Sequence, residues 1–198
     1  MQKDRNIMPA VLLSLICLVT TLLLALTNSV TAPIISALEA QAEQAQMEEI
    51  FPNGGTFTPY VPTEAEEAVL SKANGNVDKI YVAKDASDVV IGYVFISSSQ
   101  GYAGPIKAAV GIDSHGTLVS CSFTAADETP GLGKKVEDDS FEGSFAGVTI
   151  DEDLLVSTSG NGQIDAISGA TISSKGAVAA VNQATHAYRE LFSKGESA

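Results

Sequence analysis

Four hydroxyl residues, Ser168, Thr171, Ser173 and Ser174, stand within the twelve positions of DAISGATISSKG (165–176), together with Gly169, Ala170 and Lys175. The stretch opens a run in which Val178, Val181, Thr185, Tyr188 and Phe192 recur at threes and fours, the spacing of an amphipathic helix. A helix start leaves backbone N–H groups without acceptors and carries a partial positive charge, so it can hold an anion. Around a phosphate, Gly169 would let the backbone approach closely and Ser168, Ser173 and Ser174 would donate. Lys175, disfavoured in a first turn, becomes favourable beside a dianion. The same hydroxyls are also good helix caps, and spacing alone leaves the two readings open.

Other chemistries fit less well. An S-x-x-K nucleophile motif fails because Ile172 stands three positions before Lys175, and the stretch lacks the glycine spacing and G-K-[ST] end of a phosphate-binding P-loop. His115, in the turn DSHG, and His186, in the last helix, have no Cys at metal-ligand spacing, so no metal site is expected.

The helix needs a partner surface, and the residues before it supply one. From Val77 the period falls to two: Ile80 and Val82, then Val89, Ile91, Tyr93 and Phe95, then Ile106, Ala108, Val110 and Ile112, then Val119, Cys121 and Phe123. Such alternation marks half-buried strands, here in sequence and joined by tight turns. FPNGGTFTPYVP (51–62), with three prolines and a glycine pair, reads as a break. TEAEEAVLSKA (63–73) reads as a short helix with Thr63 and Glu66 at capping-box spacing.

Residues 7–30 contain no charge, and about 20 apolar residues in a helix cross a hydrocarbon core of roughly 30 Å. Lys3 and Arg5 precede this run, while Glu39, Glu43, Glu48 and Glu49 are the first charges after it. The positive-inside rule then keeps the N-terminus in the cytoplasm and places the rest outside. A cleaved signal ending at Ala32 competes, against the length of the apolar run and against Pro33 directly after the cut. Cys17 lies in the membrane run and Cys121 in the domain, so they do not pair. The formal net charge of −13 repels nucleic acid and anionic lipid alike. The expected class is α+β: a cytoplasmic tail (1–6), a transmembrane helix (7–30), a stalk helix (31–50) and an extracytoplasmic domain (51–198) with an antiparallel sheet packed by helices. The chain is then a single-pass protein of the cell's inner membrane.

DAISGAT has the form of the flavinylation motif, D-x-x-S-G-A-T, of extracytoplasmic FMN-binding domains. ETPGLGKK (128–135) resembles the loop these domains place against the flavin ring, and GYAGPIKAAVGID (101–113) resembles their Gly-Tyr-x-Gly strand entry. The order of the three, behind one membrane helix, is similar to that of the G subunits of Rnf-type ion-translocating ferredoxin:NAD oxidoreductases. The C subunit of the sodium-pumping quinone reductase is similar in motif. Many relatives carry a His two positions before the Glu of ETPGLG, where this chain has Ala126.

The resemblance implies FMN attached to Thr171 through a phosphodiester, with contacts from Tyr102, Glu128, Thr129, Pro130, Gly131, Leu132 and Gly133. It also implies partners in membrane and iron–sulfur subunits, and a flavin transferase that uses FAD with magnesium. The domain would relay electrons without turnover of its own. A stand-alone extracytoplasmic flavoprotein and a non-redox scaffold whose hydroxyls merely cap a helix are the alternatives.

Overall fold

A computed structural model describes residues 8–52, 54–72, 77–158 and 163–193; the tail at 1–6 lies outside them. Helix α1 runs from Met8 to Ile50 without a break, with Pro33 inside it. Its 43 residues are about twice what a bilayer requires. Among the described residues α1 holds the one segment long and apolar enough to cross a membrane. The hydroxyls of Ser14, Thr20, Thr21 and Thr27 donate to carbonyls one turn back, at Ala10, Ile16, Cys17 and Leu23, which satisfies them where no water can. By compactness the chain divides after Gln44, so the last turn of α1 belongs to the folded domain.

The domain begins with a strand where the prolines suggested none. β1 (Thr56–Tyr60) pairs antiparallel with β2 (Val77–Lys84), and Pro59 is tolerated because β1 is an edge strand. Between them α2 (Glu64–Lys72) starts with Glu66 Oε2 accepting from the N–H and the hydroxyl of Thr63, at 2.7 and 2.8 Å. β3 (Val90–Gln100), β4 (Pro105–Asp113) and β5 (Leu118–Thr124) continue an antiparallel meander in the order β1-β2-β3-β4-β5. A 3₁₀ turn (Gly133–Glu137), a short helix α3 (Asp139–Glu142) and a parallel pair, β6 (Val156–Ser157) with β7 (Ile164–Asp165), lead to α4 (Thr171–Leu191).

Both faces of the sheet are covered. On one, α4 lies across β3 and β4 and buries Ala177, Val181, Ala184 and Tyr188 against Phe95, Ile106, Val110 and Ile112. Tyr93 stacks on Phe192 with ring centroids 3.9 Å apart, and Ser97 Oγ donates to Ala180 O at 2.8 Å, pinning helix to strand. On the other face Met47, Ile50 and Phe51 cover Ala83, Val94, Ile96 and Ala109.

The expected alternation fails at three positions. Val89 precedes β3 and is exposed. Ile91 and Val119 each fall at a register shift, Ala83/Lys84 against β3 and Gly111/Ile112 against β5. The extra residue turns both onto the face of Val94, away from Tyr93 and Cys121.

Candidate functional site

The sequence DAISGAT starts on the last residue of β7 and turns into α4 over Ser168 and Gly169. Gly169 has φ +79°, a conformation that only glycine adopts cheaply. The turn closes with Ala170 N–H donating to Ile167 O at 2.9 Å. Ala170 is the N-cap, with φ −130°, and no side chain caps the helix. The cap reading of the hydroxyl cluster therefore fails at the cap itself. Ser174, fully buried, works differently: its hydroxyl accepts from Ile167 N–H and donates to Ala170 O, both at 3.0 Å. It ties the turn to the first helical turn and has no reach to a ligand outside.

Ser173 points toward the loop 128–133. Its hydroxyl donates to Glu128 Oε2 at 2.9 Å, while Glu128 Oε1 accepts from the N–H groups of Tyr102 and Ala103 at 2.6 and 3.1 Å. Glu128 is 3% exposed. One carboxyl group thus joins the start of α4, the loop after β5 and the turn between β3 and β4. In and just after the 128–133 loop, the N–H groups of Leu132 and Lys134 donate to Thr129 O at 3.1 and 3.2 Å. These two N–H groups are turned into the loop and do not project from it.

The three segments enclose a cleft of about 470 Å³ lined by Tyr102, Glu128, Thr129, Leu132, Gly133, Gly169, Ala170, Thr171, Ile172 and Ser173, within the usual range for small-molecule sites. Five of the expected contact residues line none of it. Ser174 is buried behind the helix start, while Ser168, Pro130, Gly131 and Lys175 are exposed outside the cleft. Ile172 lines it without having been expected. The signal was present, since Ile172 stands off the buried stripe of Val178, Val181 and Thr185, an apolar side chain aimed at solvent, 55% exposed.

Thr171 is the first residue of α4 and half-buried in the cleft wall. The first N–H groups of a helix have no intrahelical acceptor, so a phosphate on the Thr171 hydroxyl would meet the positive end of a 21-residue helix. Tyr102, Leu132 and Ile172, exposed at 70, 46 and 55%, offer apolar surface for a flat ring at the mouth. The residues present fit FMN. Outside the cleft, Asp153 accepts from His186 Nε2 and Arg189, both at 2.8 Å. The Arg189 guanidinium holds its carboxyl below the usual range, and the group ties α4 to the segment before β6.

Residues 101–186 match the FMN-binding domain family, and residues 6–50 match the RnfG N-terminal region. The chain is 35% identical over 168 residues to the G subunit of the ion-translocating oxidoreductase complex of Methanosarcina acetivorans, covering 84% of this chain and 85% of that one. It is 30% identical over 188 residues to the G subunit of the Na(+)-translocating ferredoxin:NAD(+) oxidoreductase complex of Acetobacterium woodii, covering 91% and 90%. The fold is also that of the C subunit of the Na(+)-translocating NADH-quinone reductase of Parabacteroides distasonis, with a TM-score of 0.53 at 23% identity over 69% of this chain and 77% of that one.

Proposed function

The chain belongs to the family of FMN-binding G subunits of ion-translocating oxidoreductase complexes, and from that footing we propose that it relays electrons through FMN esterified to Thr171. The observation that carries this is the position of Thr171: the only hydroxyl of the DAISGAT stretch that both opens α4 and lines the cleft. The helix start receives the phosphate, Gly169 lets the backbone turn beneath it, and Leu132 and Ile172 shield the ring from water. FMN supplies one-electron chemistry, while the protein holds it and tunes it. The covalent link keeps a small cofactor on a domain outside the cytoplasm, a side that the charge pattern around α1 supports. A flavin transferase installs it there, and membrane and iron–sulfur subunits exchange electrons with it.

Two complexes of this family could house the chain. The G-subunit relatives and the match over residues 6–50 favour a ferredoxin:NAD oxidoreductase. A quinone-reducing complex is the second reading, because the fold is shared with a C subunit. The proteins that co-purify with the tagged full chain from its native membrane decide between them, and a chain that purifies alone is a stand-alone flavoprotein.

The attachment is tested by in-gel flavin fluorescence after denaturation. Wild type is expected to fluoresce and Thr171→Ala to be dark, with folding changed by about 1 kcal/mol at most. Fluorescence that survives Thr171→Ala would falsify the assignment.

A further inference from the structure

We propose that Glu128 is a positioning residue that builds the corner carrying Thr171 rather than touching the flavin. Both of its oxygens are already engaged, Oε1 by the Tyr102 and Ala103 N–H groups and Oε2 by the Ser173 hydroxyl. An independent feature of the backbone points the same way: the carboxyl group occupies space that two neighbouring residues leave open. A Cβ at Gly101 would fall on Oε1, and a Cβ at Gly133 would fall on Oε2 and the Ser173 hydroxyl. Two glycines from different loops thus admit one buried side chain.

The consequence is mechanical. Thr171 lies two residues before Ser173 on the first turn of α4, and Tyr102, on the 101–104 turn, forms another wall of the same cleft. Glu128 fixes the distance between those walls. Hydrogen bonds to a buried, charge-capable group are among the stronger ones, and leaving their donors unmet carries the full desolvation cost. Without Glu128 the amides of Tyr102 and Ala103 lose their acceptor, the 101–104 turn loosens from α4, and the hydroxyl of Thr171 loses its fixed presentation to the flavin transferase. This rests on the reading of Thr171 as the attachment site.

The test uses the full chain in detergent, prepared flavin-free and then loaded by a flavin transferase with FAD and magnesium. Amide hydrogen exchange on the flavin-free chain reads the corner directly, and in-gel fluorescence reads loading. Glu128→Ala is expected to exchange at Tyr102 and Ala103 about ten-fold faster or more, and to load more slowly per folded molecule by a similar factor. Glu128→Gln, whose amide oxygen can serve the two N–H groups while its NH₂ meets the Ser173 oxygen, is expected to restore both. Ser173→Ala covers the case in which Glu128→Ala does not fold: it cuts only the link to α4 and is expected to slow loading.

Loading at the wild-type rate in Ser173→Ala, or in folded Glu128→Ala, overturns the proposal. So does slowed loading in Glu128→Ala with unchanged exchange at Tyr102 and Ala103, since Glu128 would then act on the flavin or the transferase directly. Thr171→Ala separates the two ideas. Flavin retained on that variant refutes the attachment site, while the exchange measurement on Glu128→Ala still judges the clamp.

Discussion

Gly131 and Gly133 look interchangeable in ETPGLG, yet they serve different ends. Gly131 has φ +77° and nothing within 4 Å of where a Cβ would stand. Gly133 has an ordinary φ and no room, because Glu128 and Ser173 fill the space. Positive φ is thus the requirement at Gly131 alone. Gly131→Ala should cost about 1 kcal/mol through backbone strain and leave flavin loading unchanged. Gly133→Ala should cost more, about 2 kcal/mol or above, and reduce loading as well, because the methyl displaces the Glu128 carboxyl. Thermal melts of the flavin-free chain together with in-gel fluorescence separate the two, and equal loading in both variants would show that the space at Gly133 has no bearing on the cleft. The place of Thr171 at a helix start was legible at this scale because the hydroxyl cluster and the amphipathic run adjoin in one short stretch. The meeting of Glu128 with Ser173 was not, since 45 residues separate them and only the packing of α4 on the sheet brings them together.

At the scale of elements, periodicity revealed β2 to β5 and α4, because each buries one regular face. It missed what depends on neighbours: the edge strand β1 with its proline, and the bulges at Ile91 and Val119, which a strand's own sequence does not announce. The outer edge of β5 is another such case. Toward its end the outward N–H groups are met by carboxylates, Phe123 N–H by Glu142 Oε1 and, just past the strand, Ala125 N–H by Glu137 Oε1, both at 2.7 Å, while Leu118 N–H at its start donates to Val148 O; both hinder further strands from adding. For Glu142 this role carries a cost. Burial pushes its carboxyl above the ordinary glutamate value, opposed by the Phe123 N–H and reinforced by Glu49 and Asp139 nearby. A raised value means that the folded chain binds this proton more tightly than the unfolded chain. The charge therefore destabilises the fold above the raised value, and the penalty is relieved as pH falls through it. Glu142→Gln keeps an acceptor for Phe123 and removes the charge. It should melt higher than wild type near neutral pH, with the difference shrinking as the solution is acidified. A constant difference across that range would mean that the charge of Glu142 is not what the substitution relieves.

For the whole molecule, the decisive quantity is which side of the membrane receives the domain. The 43 residues of α1 span and continue beyond a bilayer, and its apolar side chains from Met8 to Leu26 are exposed along the helix, as lipid contact requires. None of this gives a direction. The direction we propose rests on Lys3 and Arg5, ahead of the apolar run, against a following segment whose first four charges are acidic. Lys and Arg dominate that rule and Asp and Glu contribute little, so the proposed orientation of a chain whose net charge is −13 rests on two side chains. A reporter that matures only outside the cytoplasm, fused after Ala198, should be active in wild type. In Lys3→Gln/Arg5→Gln its activity should fall by several-fold, and covalent flavin should fall in proportion, because Thr171 would then be presented on the wrong side for a transferase working outside. The mass of the mature chain distinguishes a retained anchor from a cleaved signal: the first starts at Met1, the second at Pro33. A wild-type reporter active only when it matures in the cytoplasm would reject the orientation. Flavin unchanged in the double variant despite a lost reporter signal would separate the site of flavinylation from the side of the membrane.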